Sequence, residues 1–333
     1  QNETIPHVGC AEMLRDREPA HLKLVGASYA ANNSESIGSY SYEPALGETA
    51  AKCSNGRAGG YPCKNVDLLS MLDLRELNSA LNRVSDDAND VWGWTDSLSG
   101  REFAIIGLER GTAFVEITNP TRPIYLGALR TRGNGSSSGR LWRDIKTYDR
   151  YAYIVSEIEG HGIQIFNMGR LLTASPNTSF GQNGHFSNFG SAHNLFINED
   201  TGYAYGVGTD KCAGGLYFVN LKNNPTNPSG NGCYSADGYT HDVQCVVYKG
   251  PTSNYFGKEI CFASNEDSIT IIDVSDKRSP TLIKKFRYAH SYTHQGWLTD
   301  DHKYFIFDDE LDEYRKRWNT RTYVLDVRKL WDP

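Results

Sequence analysis

Three histidines recur along the chain at intervals that suit one shared site. His193, His241 and His294 each sit beside a short apolar segment, in SAHNLF, YTHDVQC and YTHQGW. Asp90 in ANDVWGW and Arg143 in LWRDIK occupy the equivalent place, so one position repeats at spacings of 53, 50, 48 and 53 residues. A second set closes the apolar segment that follows: Glu109, Glu157, Asp210, Glu266 and the run Asp308, Asp309 and Glu310. Neutral imidazoles with one or two carboxylates suit zinc, copper or another transition ion. His193, His241, His294 and Asp90 are therefore the candidate ligands of one divalent ion. Calcium on Asp308, Asp309 and Glu310 is the variant, without an EF-hand pattern to back it. Enzyme chemistry is open to the same residues. A His–Arg–carboxylate cluster can abstract a proton beside a uronate, with Arg143 neutralising the sugar carboxylate. A pair such as Glu157 and Glu310 can hydrolyse a glycosidic bond. Trp92, Trp94, Trp142 and Trp297 lie near the same segments and can stack on sugar rings.

These residues need a scaffold that repeats, and the chain supplies one. After each start comes a second apolar segment (EFAIIGL, YAYIVSE, GYAYGVG, EICFAS, KYFIFDD) and a third (AFVEI, IQIFNM, LYFVNL, ITIIDV, TYVLDV). A Pro-containing turn often leads to a fourth, as in PIYLGALRT and PTLIKKFRY. Four short strands per unit describe a propeller blade, and a solenoid usually has shorter repeats. The expected fold is all-β: a five-bladed β-propeller of four-stranded antiparallel blades over residues 65–333. The last unit lacks a fourth strand, and NVDLLSML (65–72) is expected to close the ring and remove an exposed edge. Leu74, Leu77, Leu81 and Val84 fall at helical spacing just after it. Residues 1–64 show no period and read as an irregular arm pinned by a disulfide. In such a fold the starts of the first strands and the ends of the second strands share one channel mouth. The competing reading is that a repeated His is a scaffold device fixing turns, that the tryptophans pack between blades, and that the acidic run is a solvated loop.

Composition narrows the classes. The 333 residues are 22% charged with a net charge of −6, so no polyanion-binding surface is the default and a nucleic-acid role lacks a basic stripe. No apolar run is long enough for a membrane span. There is no GxSxG elbow, P-loop or HExxH. Seven cysteines form no CxxC pair. Local pairs Cys53–Cys63, Cys212–Cys233 and Cys245–Cys261 are the expected disulfides, with Cys10 odd. Sequons at Asn2, Asn32, Asn134 and Asn177 sit in polar stretches that suit glycosylation. The start QNETIP carries no basic-then-apolar leader and reads as a mature secreted chain.

The blocks DVWGWTD, AFVEITNPTRP, YTHDVQCVVYKG, EICFASNED, TIIDVSD and THQGWLTDDHKYFIFDDELDE resemble the LVIVD-repeat, choice-of-anchor B family of secreted proteins. The resemblance covers roughly residues 53–333. It implies a β-propeller and an extracellular location, and no single activity. Many relatives carry C-terminal anchor segments; this chain ends at WDP, so surface attachment is not expected. The expected function is a secreted, glycosylated binding or scaffold protein for a glycan or extracellular protein, with one divalent ion (Zn, Cu or Ca) at the channel mouth. The alternatives are a polysaccharide lyase or glycosidase on the same face, and a purely structural matrix protein.

Overall fold

A computed structural model describes residues 49–82, 87–133 and 141–333. Cys10, Val84 and the sequons at Asn2, Asn32 and Asn134 lie outside the described residues. The chain divides into two compact units, Gln1–Met71 and Leu72–Pro333. Residues 65–71, assigned above to the propeller, fall with the first unit. There Thr49–Ala51 pairs antiparallel with Leu68–Ser70, and Arg57–Ala58 pairs with Tyr61–Pro62. The Cys53–Cys63 disulfide closes that loop. Leu68–Ser70 thus pairs with Thr49–Ala51 rather than completing the last sheet, which keeps three strands among the described residues.

Among its described residues the second unit holds five sheets in chain order, antiparallel apart from one added strand. Their first strands are Ala88–Thr95, Arg143–Tyr148, Asn194–Asn198, Asp242–Val247 and Thr293–Leu298. The second, third and fourth sheets have four strands each. The first sheet gains a fifth strand, Thr178–Phe180, which runs parallel to Ile124–Arg130. Gly127 permits that approach: its φ is +136°, and a Cβ there would lie 1.9 Å from the Thr178 carbonyl oxygen.

Period-two alternation gives each sheet two apolar faces, and successive sheets share the cores between them. Phe103, Ile105 and Phe114 of the first sheet meet Ile145, Ile154 and Phe166 of the second. Tyr153, Val155 and Ile165 on the opposite face of the second meet Leu195 and Ala204 of the third. Tyr205 and Phe218 then meet Val243 and Ala263. Phe262 and Ile271 meet Leu298, Phe305 and Phe307. The outer face of the first sheet, with Ala113, Val115 and Tyr125, is covered by Leu77, Ala80 and Leu81. Those residues come from the expected helical segment, which winds as Leu74–Leu77 and then Ser79–Leu81. Asp73 caps it, its Oδ1 accepting the Glu76 N–H at 2.7 Å. Sheets packed face to face in chain order, with their first strands side by side, are propeller architecture.

The remaining disulfides, Cys212–Cys233 and Cys245–Cys261, form as expected. Cys245 and Cys261 stand directly opposite on neighbouring strands. Asn177 is exposed with φ +62°. Its Oδ1 accepts the Ser79 hydroxyl at 2.9 Å.

Candidate functional site

A first strand has a backbone edge that its own sheet does not pair, and those N–H groups need other acceptors. Side chains of the preceding sheet supply them. Asn89 Oδ1 accepts from Arg143 N at 2.9 Å, and Asp90 Oδ2 from Ile145 N at 2.8 Å. Asp144 Oδ2 accepts from Leu195 N at 2.6 Å, and Gln244 Oε1 from Leu298 N at 2.7 Å. The stitched strands line a cavity of about 660 Å³, with residues from all five of them.

The three histidines come together at this cavity. Ring centroids lie 4.2 Å apart for His193 and His241, and 4.7 Å apart for His241 and His294. Each imidazole is anchored through Nδ1, which turns Nε2 the opposite way. His193 Nδ1 meets Glu157 Oε1 at 2.7 Å. His241 Nδ1 donates to the His294 carbonyl at 3.1 Å, and His294 Nδ1 lies 3.4 Å from Asp308. Such second partners fix the tautomer and orientation of metal-binding imidazoles. His241, His294 and Glu310 each offer one ligand atom, all within 4.8 Å of one another. Burial disfavours charge on His294, but Asp308 and Glu310 outweigh it and raise its pKa.

Two β-bulges set this geometry. The register slips between Ala88 and Val91 and again between Thr293 and Gly296, so Asp90 and His294 both sit inside bulged segments. Bulges re-aim side chains, and here they send the two residues different ways. Asp90 adopts φ +66° and turns to Ile145 N, while His294 turns to Asp308 and Glu310. The group that could hold a metal therefore contains Glu310 and not Asp90, with the His193 ring tilted against that of His241.

Asp90 belongs instead to a charged cluster in the cavity wall. Lys146 pairs with Asp144 and rests over the Trp92 ring at 4.5 Å. Burial, then the charge of Asp144, pushes Asp90 up to about 7 and Asp242 up to about 6. Burial disfavours the Lys146 ammonium, but Asp144, Asp90 and Asp242 outweigh it and raise its pKa. Asp144, Lys146 and Asp242 stood outside the sequence candidates. Their signal was proximity to the repeated position, at one or three residues beyond it.

Arg143 lines the cavity, but its guanidinium is committed to the protein. It donates to the carbonyls of Leu108 (2.5 Å) and Glu109 (3.1 Å) and to Thr131 Oγ1 (2.7 Å). Its Nη1 lies 3.4 Å from His161 Nε2, with His161 Nδ1 on the Gly162 carbonyl at 2.9 Å. Burial lowers Arg143 to about 9; burial and then the Arg143 charge lower His161 to about 3, so that imidazole is neutral. Glu109 carboxylate lies 3.5 Å from Arg110, and Glu266, at φ +60°, accepts from Thr293 N through its carbonyl at 2.6 Å.

The acidic run divides by alternation. Asp308 is on the cavity face, whereas Asp309 is fully buried and accepts from Ser291 N (2.6 Å) and Tyr292 N (2.7 Å). Asp312, also buried, takes a bidentate bond from Arg321, both contacts at 2.7 Å. Trp92 gives its Nε1 to Thr147 Oγ1 at 3.1 Å, and Trp142 lies 6.2 Å from the His193 ring. Trp297 is 54% exposed.

Comparison with known proteins adds one segment-level match. The LVIVD repeat pattern matches residues 257–288, the span of the second to fourth strands of the fourth sheet. No curated protein matches the chain. Among solved structures, Kuenenia stuttgartiensis hydrazine synthase is 12% identical, with 70% of this chain and 62% of that one covered and a TM-score of 0.47. A putative 6-phosphogluconolactonase from Bacteroides fragilis is 12% identical, covering 74% and 69%, with a TM-score of 0.47. The β-propeller domain of Myceliophteria thermophila Cps50 (Swd1) is 9% identical, covering 72% and 65%, with a TM-score of 0.44. The chain spans less than two thirds of the first of these.

Proposed function

We propose that the chain is a secreted, glycosylated five-bladed β-propeller that serves as an extracellular binding or scaffold protein, with one divalent ion at the mouth of its central cavity. The observation that carries this reading is the convergence of His241, His294 and Glu310, with His193 beside them. Two nitrogens and one carboxylate oxygen favour zinc or copper over calcium, which takes six or more oxygens. The three disulfides support an oxidising, extracellular compartment. No helix among the described residues is long and apolar enough to cross a membrane. Metal analysis of the purified protein tests the ion. One ion per chain is expected, with a lower melting temperature after chelation and loss of the ion in His294→Ala. Absence of stoichiometric metal, with melting unaffected by chelator, removes it.

The Glu157–His193 pair at 2.7 Å supports a second reading, a polysaccharide-active enzyme with His193 as a proton acceptor. The uronate version finds no support in Arg143, whose guanidinium is bound to Leu108 and Glu109 carbonyls. Product formed from a polysaccharide panel, and lost in a folded His193→Ala variant, favours the enzyme.

A further inference from the structure

We propose that the cavity binds a neutral carbohydrate chain, with one pyranose ring stacked on Trp297. This deepens the binding-protein reading of the same cavity and rests on it.

The fifth sheet has one face in the core and one face open. Leu298, Phe305, Phe307 and Leu325 are buried against the fourth sheet. On the opposite face Trp297 pairs in register with Ile306, and Ile306 with Val324, giving one straight apolar row. These three are 54%, 42% and 65% exposed. Beside the row runs a polar one: Gln295 is two residues before Trp297, and Asp308 stands opposite Thr322. Trp297, Ile306, Gln295, Asp308 and Thr322 all line the cavity. A flat indole flanked by an amide, a carboxylate and a hydroxyl matches a pyranose, which has an apolar C–H face and a rim of hydroxyls. Phe196 meets the Trp297 ring edge to face, with centroids 5.9 Å apart, and holds it in place.

Charge selects among glycans. Asp90, Asp144, Asp242 and Asp308 line the cavity against Lys146, which already pairs with Asp144. The Arg143 guanidinium, the other lining cation, is spent on backbone carbonyls and Thr131. With no ion bound, an anionic polysaccharide meets the carboxylates of Asp144 and Asp308, whereas neutral hydroxyls meet acceptors. Trp92 cannot serve as the platform, because Lys146 lies over its ring. The volume lies within the range of small-molecule sites and admits a short stretch of chain.

Calorimetric titration of the full chain with soluble neutral oligosaccharides (β-glucan, mannan and xylan series) and acidic ones (polygalacturonate and alginate series) tests this. In chelator-treated protein at least one neutral series should bind and the acidic ones should not. Trp297→Ala should weaken binding about tenfold, the loss of about 1.4 kcal/mol of stacking. Trp297→Phe should recover part of it, and both variants should melt like the parent. No neutral series binding, tighter binding of an acidic series, binding only of protein partners, or unchanged affinity in Trp297→Ala overturns the proposal. Repeating the titration with zinc and with chelator separates it from the ion. Chelated protein that still binds sugar keeps the carbohydrate and drops the ion's part in it. Zinc-loaded protein that binds no sugar keeps the ion and ends the carbohydrate.

Discussion

At the scale of single residues, the cavity separates two kinds of carboxylate. Glu157, Asp308 and Glu310 face imidazoles. Asp90 and Asp242 face Asp144, and only Lys146 answers all three. The sign of the resulting pH dependence follows from linkage. Asp90 binds its proton up to about pH 7 in the folded chain, whereas an unfolded Asp releases it near 4. Between those values the folded state holds more protons, so stability falls as pH rises. Asp90→Asn keeps an oxygen for Ile145 N and removes the titrating group. In chelator-treated protein we expect equal melting temperatures at pH 4 and a higher one for Asp90→Asn at pH 8. Parallel melting curves across that range would refute the assignment. A bound cation would favour that charge by direct attraction, which is why the comparison is made metal-free.

At the scale of elements, the sheets are held together by more than apolar faces. Glu259, in the second strand of the fourth sheet, is buried and takes four bonds. Asn198, Thr201 and Tyr205 from the third sheet donate to Oε1 at 2.6, 2.8 and 2.6 Å. Lys277 donates to Oε2 at 2.6 Å and to the Val274 carbonyl at 2.7 Å. Removing the ammonium leaves a buried carboxylate without its counter-charge. Lys277→Met should cost about 3–5 kcal/mol in urea unfolding, and adding Glu259→Gln should recover part of that. A loss under about 1 kcal/mol would mean that water reaches the pair and screens it. None of this was readable from the sequence, since Glu259 and Lys277 occupy different segments with no repeated partner. What was readable is the phase of the repeat. One equivalent position per unit places His193, His241 and His294 at the starts of adjacent first strands whatever the details of packing. The choice of Glu310 over Asp90 depends on two bulges, whose extra residue shifts the alternation at a point the apolar pattern does not mark. Arg143 is misleading for a related reason: position gives the Cα, but only packing shows that the guanidinium turns to the Leu108 carbonyl. The acidic run DDELDE mixes both cases, because alternation buries Asp309 and exposes its neighbour Asp308 to the cavity.

At the scale of the whole molecule, the three disulfides occupy environments of graded protection. Cys53 and Cys63 close a short loop of the first unit and are partly exposed. Cys212 and Cys233 join a turn to the last strand of the third sheet and are partly exposed as well. Cys245 and Cys261 are buried in the core between the third and fourth sheets, with Val243, Ala263 and Phe218 around them. Exchange requires a thiolate to reach the sulfur in line, so a buried bridge waits for the sheets to part. Opening of core strands costs up to the global stability, whereas a surface loop opens at little cost. Under native conditions a thiol reductant should therefore convert Cys53–Cys63 and Cys212–Cys233 while Cys245–Cys261 persists. Alkylation of freed thiols followed by peptide mass analysis reads the order directly. Adding urea below the unfolding midpoint should speed the third step much more than the first two, because only the third is coupled to separation of the sheets. Simultaneous loss of all three, or a Cys245–Cys261 rate insensitive to urea, would show that the core between the third and fourth sheets does not govern access to its own disulfide.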